Sequence, residues 1–254
     1  MMKTIGGIIE GLILVAIGAY AGLLVLYGDY WQYLNPKFKW LTGTTAAMLV
    51  IVGSVAVFKP NKRPSVSRII IFLILLRIVS MGNSGIPGLQ PSGSRPAVES
   101  PAEDERSRVS MNGREYTRIN LGELYMLCEK PQQDKMTGSY VVRGIVIRNE
   151  ELDRLGQVAL LRNAVFCCLA DSVGMGLIVQ PERLDELVDG EWVEIYGTLS
   201  ALPRKLPDPR LRIREMHLAI VSESYVLVPT EVVRIKEPEI PFMFELREAE
   251  PYAF

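Results

Sequence analysis

The chain has 254 residues and a net charge of −1, from 28 Lys and Arg against 29 Asp and Glu. This length fits one ordinary domain with additional elements. The charge is uneven, because residues 112–254 carry 17 basic and 23 acidic side chains. An acidic domain repels phosphate backbones, so the composition argues against a nucleic-acid partner. The three cysteines are too few for a disulfide framework.

Two apolar runs near the N-terminus predict membrane-spanning helices. The first run covers residues about 5–27 and is interrupted only by Glu10. The second run covers residues 41–58 and carries no charge. About 20 apolar residues cross the hydrocarbon layer, where the backbone must satisfy its own hydrogen bonds as a helix. The competing interpretation of the first run is a cleaved signal peptide, since residues 19–21 have the form of a cleavage site. Because the apolar run continues past that site, we favour an uncleaved helix.

A third apolar segment, residues 69–86, decides the topology. The basic loop before it is cytoplasmic by the positive-inside bias, and the N-terminus is then cytoplasmic too. If the segment spans, the C-terminal domain lies outside the cytoplasm, and if it lies on the membrane surface, the domain stays inside. Its density of Ile and Leu favours spanning. We therefore predict a membrane domain over residues 1–82, with an extracytoplasmic C-terminal domain.

Two charged residues interrupt these segments, Glu10 and Arg77. With both helices starting at the cytoplasmic face, they fall at similar depths of roughly 8 and 12 Å, at about 1.5 Å per residue. One interpretation is that each side chain reaches to the interface. The other is that the two form an intramembrane pair or contact a partner inside the bilayer.

The rest of the chain divides into a linker and a β-rich domain. Residues 83–111 are rich in Pro, Ser, Gly and charge, which predicts a flexible linker. From residue 112 to 254 we predict an all-β domain with a C-terminal tail, beginning with a short helix over 119–129. The predicted strands are 140–148, 157–168, 176–180, 192–199, 211–221 and 225–235.

This pattern favours a small OB-like barrel, with another small β-sandwich as the alternative. Gly144 and Gly197 lie within the predicted strands, where a bulge would let a small sheet curl. We expect Trp192 to fill the core.

Four runs within this domain form a specific pattern. They are Gly144-Ile-Val-Ile-Arg148, Arg162-Asn-Ala-Val-Phe-Cys167-Cys168-Leu-Ala-Asp171, Gly176-Leu-Ile-Val179 and Gly190-Glu-Trp192-Val-Glu-Ile-Tyr-Gly197. The pattern resembles the YcgQ-type proteins, bacterial subunits of two-component membrane permease complexes with a C-terminal domain of unknown function. The resemblance implies a location in a bacterial cytoplasmic membrane and a polytopic membrane permease as partner, and it implies no chemistry.

The sequence shows no set of catalytic residues. Its one histidine is His217, and it has no CxxC, HExxH or phosphate-binding glycine motif. We therefore predict a non-enzymatic accessory subunit of a membrane permease complex, in contact with the lipid bilayer, with no cofactor required.

The adjacent cysteines carry the alternative function. On an alternating strand, Cys167 and Cys168 point to opposite faces, so one thiol should be buried and the other accessible. They could be incidental core residues, or they could bind a soft metal or react as a redox pair, with Asp171 or His217 as a harder co-ligand. A vicinal disulfide is a further alternative outside the cytoplasm. The alternative function is thus a membrane-anchored metal-binding, thiol-binding or redox module.

Two neighbouring side chains have less specific interpretations. Asp171 could simply cap a turn through its side-chain oxygens. Arg162 could pair with Asp171 across the barrel, or it could be solvated.

Overall fold

The computed structural model of the protein describes residues 2–27, 29–59, 107–131, 133–202, 210–213 and 216–254. Contacts divide the chain into two units, Met1–Arg95 and Pro96–Phe254. The predicted third segment, Arg77 and almost all of the predicted linker lie outside the described residues.

The first unit contains a helical hairpin. Helix α1 spans Met2–Tyr27 and helix α2 spans Lys39–Phe58, as the apolar runs predict. Two short 3₁₀ turns, Asp29–Gln32 and Pro36–Phe38, connect them. Both helices are long and apolar enough to cross a membrane, which is compatible with membrane anchoring.

Small residues let α1 and α2 approach closely. A Cβ added at Gly11 would lie 2.7 Å from the Gly53 carbonyl oxygen, and one at Gly18 would lie 2.8 Å from the Ala46 carbonyl oxygen. Such close backbone contact is typical of helix pairs in membranes. Glu10 is buried within this unit. Large apolar side chains remain exposed on α2: Trp40, Leu41, Met48, Ile51, Val52, Val55 and Phe58.

The second unit is built around a closed β-barrel. Its strands are β3 (Ser139–Ile147), β4 (Val158–Ala164), β5 (Val173–Val179), β6 (Trp192–Ala201) and β8 (Met216–Arg234). They pair in the order β3-β4-β5-β8-β6, and β3 pairs with β6 to close the ring. The β5–β8 pair is parallel and the other pairs of the ring are antiparallel. This closed five-stranded barrel is OB-like and confirms the predicted fold class.

Additional strands extend the sheet. The hairpin β1 (Arg108–Met111) and β2 (Arg114–Arg118) precedes the barrel, and β2 runs parallel to β3. Residues 108–111 belong to the range predicted as linker, so this hairpin corrects the end of that range. Strand β7 (Arg210–Ile213) pairs with β8. The two strands predicted over 211–221 and 225–235 are largely one long strand, β8.

Helix α3 (Leu121–Glu129) packs its apolar face into the barrel core. Asn120 caps it, and Glu123 completes a capping box, in which the two residues bond each other's backbone N–H groups. The short helix predicted over 119–129 is confirmed, and four of its side chains lie on one face and join the core: Leu121, Leu124, Leu127 and Cys128. Two shorter helices follow, α4 (Gln133–Met136) and α5 (Glu150–Arg154).

The two glycines predicted at bulges have different roles. A register shift occurs between Tyr196 and Gly197, where a side chain would collide with the Val228 carbonyl, so this prediction is confirmed. At Gly144 the pairing with β6 is regular, and the bulge prediction is wrong. A Cβ there would lie 2.5 Å from Leu121 Cδ1, so Gly144 makes room for α3 instead.

Candidate functional site

The adjacent cysteines lie in the loop between β4 and β5. We call residues 165–172 the cysteine loop. Strand β4 ends at Ala164, so the strand predicted over 157–168 is too long at its C-terminal end. The Cys167 side chain is exposed and the Cys168 side chain is half-buried, so the prediction of one buried and one accessible thiol is wrong.

Asp171 explains why the strand stops before the cysteines. Its carboxylate accepts backbone hydrogen bonds from Phe166 at 3.2 Å, Cys167 at 2.8 Å and Cys168 at 3.3 Å. These N–H groups are therefore used within the loop and are not available to a neighbouring strand. The interpretation of Asp171 as a turn cap is confirmed. Burial pushes the pKa of Asp171 up, but the hydrogen bonds from the Cys167 thiol and the loop backbone outweigh burial and hold this pKa below its usual value.

The two thiols are close but not bonded. Their Sγ atoms lie 3.6 Å apart, well beyond the disulfide bond length of about 2.05 Å. Hydrogen bonding to Asp171, and then to Cys168, raises the pKa of Cys167 to about 11. One ligand atom from each of Cys167, Cys168 and Asp171 lies within 4.8 Å of the other two. The loop thus brings together two sulfurs and a carboxylate, although the thiols were predicted on opposite faces of a strand. The side chain of His217, the other predicted co-ligand, lies outside the described part of the chain.

Arg162 is neither solvated nor directed at Asp171, so both predicted interpretations are wrong. It is buried, and its Nε and Nη2 donate to the carbonyls of Pro241 at 3.1 Å and Ile240 at 3.0 Å. Burial, and then the nearby Arg143, lowers its pKa to about 10. The guanidinium lies 6.0 Å from the ring centroid of Trp192, a half-exposed side chain that does not fill the core as predicted.

Residues 235–254, which we call the closing segment, hold the base of the cysteine loop. Met243 forms a parallel bridge with Ala164. The Val165 N–H donates to the Met243 carbonyl at 2.9 Å, and the Met243 N–H donates to the Asn163 carbonyl at 2.7 Å. The start of the loop is therefore fixed by main-chain contacts from a segment distant in sequence.

Residues 99–228 match the family model of the DUF1980 C-terminal domain, about half of the chain. The chain belongs to the DUF1980 family. This membership fits the resemblance to YcgQ-type proteins, whose C-terminal domain has no known function. A search of curated proteins found no match.

A search of solved structures found a weak similarity to an aspartyl tRNA synthetase from Entamoeba histolytica. The two are 15% identical, with 46% of this chain and 22% of that chain covered and a TM-score of 0.20. The chain therefore spans only about a fifth of that protein, and a TM-score this low carries no argument about fold or function.

The closing segment lies beyond the DUF1980 match, yet a second contact ties it to the barrel. Glu123 is buried, and its Oε1 accepts backbone hydrogen bonds from Arg247 at 2.8 Å and Ala253 at 3.0 Å. Its Oε2 accepts from the Asn120 N–H at 3.2 Å. Burial raises the pKa of Glu123, against the opposing effect of these hydrogen bonds. Glu123 was not among the predicted functional residues, although the spacing Asn120-x-x-Glu123 is a capping-box signal.

Arg148, a residue of the family pattern, joins α5 to the segment 184–187 of the DUF1980 domain. Its Nε bonds Asp153 at 3.0 Å, and its Nη1 donates to the carbonyls of Leu184 at 3.3 Å and Leu187 at 3.0 Å. The charged head is used within the fold, so Arg148 has a structural role.

A small cavity lies between α3 and the closing segment. Its volume is about 200 Å³, and its lining includes Glu123, Arg247 and Tyr252. Ligand pockets usually measure about 300–1,000 Å³, so this cavity is small for an organic ligand. The cysteine loop remains the candidate site.

Proposed function

We propose that this DUF1980 protein is a non-enzymatic accessory subunit of a membrane permease complex, with its β-barrel outside the cytoplasm. The observation that carries the proposal is the apolar surface of the helical hairpin, in a chain whose family pattern resembles permease subunits. The contact between α1 and α2 uses glycine and alanine, which leaves the large side chains of α2 for lipid or another protein. A polytopic permease would supply such a protein surface.

Two positions in the hairpin allow a controlled test of this partner. Val52 on α2 is exposed, whereas Ile13, a large side chain on α1, is buried. A photo-crosslinking residue at Val52, in the full-length chain in native membranes, should capture a polytopic membrane protein. The same residue at Ile13 should capture far less, because that side chain is buried within the first unit. Purification in mild detergent should also recover the same protein with the unmodified chain.

The proposal would be rejected if Val52 captures only lipid and no polytopic protein co-purifies. The extracytoplasmic location has its own test. A membrane-impermeant thiol reagent should label Cys167 in intact cells, and labelling only after permeabilisation would place the barrel in the cytoplasm. Cys128 is the internal control, because it is buried in the barrel core.

A second candidate function is a membrane-anchored module that binds a soft metal or a thiol ligand. The observation that favours it is the grouping of Cys167, Cys168 and Asp171. Replacing both cysteines with Ser should abolish metal uptake and thiol reactivity at the loop while the barrel stays folded. Unchanged metal content and reactivity in that variant would remove this candidate.

A further inference from the structure

The spacing of donor atoms in the cysteine loop fits a tetrahedral metal ion. Zinc bound by cysteine has Zn–S distances of about 2.3 Å, so two sulfurs at a tetrahedral angle lie about 3.8 Å apart. The Sγ atoms of Cys167 and Cys168 already lie 3.6 Å apart. A small rotation of the side chains would therefore be enough for both sulfurs to bind one ion.

The two sulfurs and the carboxylate oxygen together select the class of metal. Thiolates disfavour Mg²⁺ and Ca²⁺, which prefer oxygen ligands, and they suit zinc and Cu(I). A carboxylate oxygen is an ordinary ligand for Zn²⁺, whereas Cu(I) prefers sulfur alone. The Asp171 oxygen within 4.8 Å of both sulfurs thus favours Zn²⁺ over Cu(I).

The loop holds these donors before any ion arrives. Asp171 is fixed by the N–H groups of Phe166, Cys167 and Cys168, and of these only the Cys167 N–H donates to Oδ2. The Cys167 thiol also donates to this carboxylate, but it loses that proton when it binds a metal as a thiolate. A carboxylate oxygen has two lone pairs, so Oδ2 then has one for the metal. The bonds between Met243 and β4 fix the start of the loop.

We infer that Cys167 Sγ, Cys168 Sγ and a carboxylate oxygen of Asp171 form a three-donor site for Zn²⁺. The inference rests on the second candidate function and names its ligand. Because Cys167 is exposed, the fourth tetrahedral position faces solvent. Structural zinc sites use four protein ligands, whereas sites that exchange a ligand keep one position open. The geometry therefore corresponds to a site whose ion keeps one position for water or an incoming ligand.

Metal binding by the reduced full-length protein in detergent, without oxygen, tests the inference. Zn²⁺ should compete with a chromophoric chelator at one equivalent per chain. Co²⁺ should give sulfur-to-metal absorption bands and the visible bands of a tetrahedral ion. Cys167→Ser and Cys168→Ser should each weaken Zn²⁺ binding more than about 100-fold, beyond the 10–100-fold typical of outer-shell changes.

Cys128→Ser is the matched control. This third cysteine is buried in the core, outside the group of donors, so the variant should bind Zn²⁺ as the natural chain does. Thermal unfolding of each variant checks that the barrel stays folded. Asp171→Asn keeps an oxygen and removes its charge, and should weaken binding at least about tenfold.

Several results would overturn the zinc assignment. They are Zn²⁺ affinity unchanged in both Ser variants, loss of binding in Cys128→Ser alone, absence of the sulfur-to-Co²⁺ bands, or binding of Cu(I) without Zn²⁺. If the loop thiols react with alkylating reagents but bind no Zn²⁺, the zinc assignment fails and a thiol-binding module remains. The permease proposal is tested separately by crosslinking at Val52.

Discussion

Replacing Glu123 with Ala should release the closing segment from the barrel. The substitution removes the acceptor of three backbone hydrogen bonds, from Arg247, Ala253 and Asn120. Hydrogen bonds to a charged group contribute about 1.5–3 kcal/mol each, and the unfavourable burial of the carboxylate offsets part of that sum. We expect a net loss of about 3 kcal/mol in the free energy of unfolding. For a domain of this size, that lowers the melting temperature by about 9 °C.

Hydrogen exchange measured by mass spectrometry separates the closing segment from the rest of the barrel. In Glu123→Ala, amides 243–254 should exchange much faster, while those of β3 and β4 change less. Glu123→Gln is the matched control, because its remaining oxygen can still accept from Arg247 and Ala253. A loss of thermal stability in Glu123→Ala with unchanged exchange in the closing segment would refute this role for Glu123.

A comparison of the natural chain with Glu123→Gln also gives a prediction for the pH dependence of stability. Burial raises the pKa of Glu123 in the folded state above its unfolded value. The part of the stability that comes from this raised pKa is therefore fully present below the unfolded pKa and is lost as pH rises through the folded pKa, while the backbone hydrogen bonds to Glu123 remain. The stability of the natural chain relative to Glu123→Gln should fall with rising pH across that range, and a rise would contradict the assigned direction.

Three further predictions concern the hairpin and the thiols. Gly53→Leu should disrupt the pairing of α1 and α2, measured by crosslinking between the helices. Gly43→Leu should leave the pairing intact, because nothing lies within 4 Å of a Cβ added at Gly43. Cys128 should resist alkylation in the folded protein, since burial raises its pKa to about 12, and reactivity equal to that of Cys167 would contradict its placement. Asp171→Asn should accelerate alkylation of Cys167 at pH 8 by about 10–100-fold. The reason is that the hydrogen bond to the carboxylate holds the pKa of the Cys167 thiol near 11. An unchanged alkylation rate would contradict that cause.

The sequence was most informative where the pattern is local. The uncharged runs predict α1 and α2, and the alternation of apolar residues predicts most strands of the barrel. The face of α3 that enters the core is also readable, because the spacing of its leucines follows the helical repeat.

The candidate site depended on contacts that the sequence pattern does not show. The apolar run before Cys167 continues the strand pattern, but the carboxylate of Asp171 captures the backbone N–H groups and ends the strand early. Arg162 and Trp192 were misplaced for a related reason. The acceptors for Arg162 are backbone carbonyls almost 80 residues away. Because every residue has a backbone carbonyl, the sequence does not indicate which ones will accept a hydrogen bond.

The closing segment changes where a usable fragment of this protein should end. The DUF1980 match stops at residue 228. The carbonyl groups that accept from Arg162 and two of the N–H groups that donate to Glu123 lie beyond that point. A fragment cut at the family boundary would leave Arg162 as a buried cation without these carbonyl acceptors, and it would expose the apolar side chains that Met243 covers. Such a fragment would probe an incomplete barrel with an unrestrained cysteine loop. Binding measurements on the isolated barrel should therefore use a chain that includes residue 254.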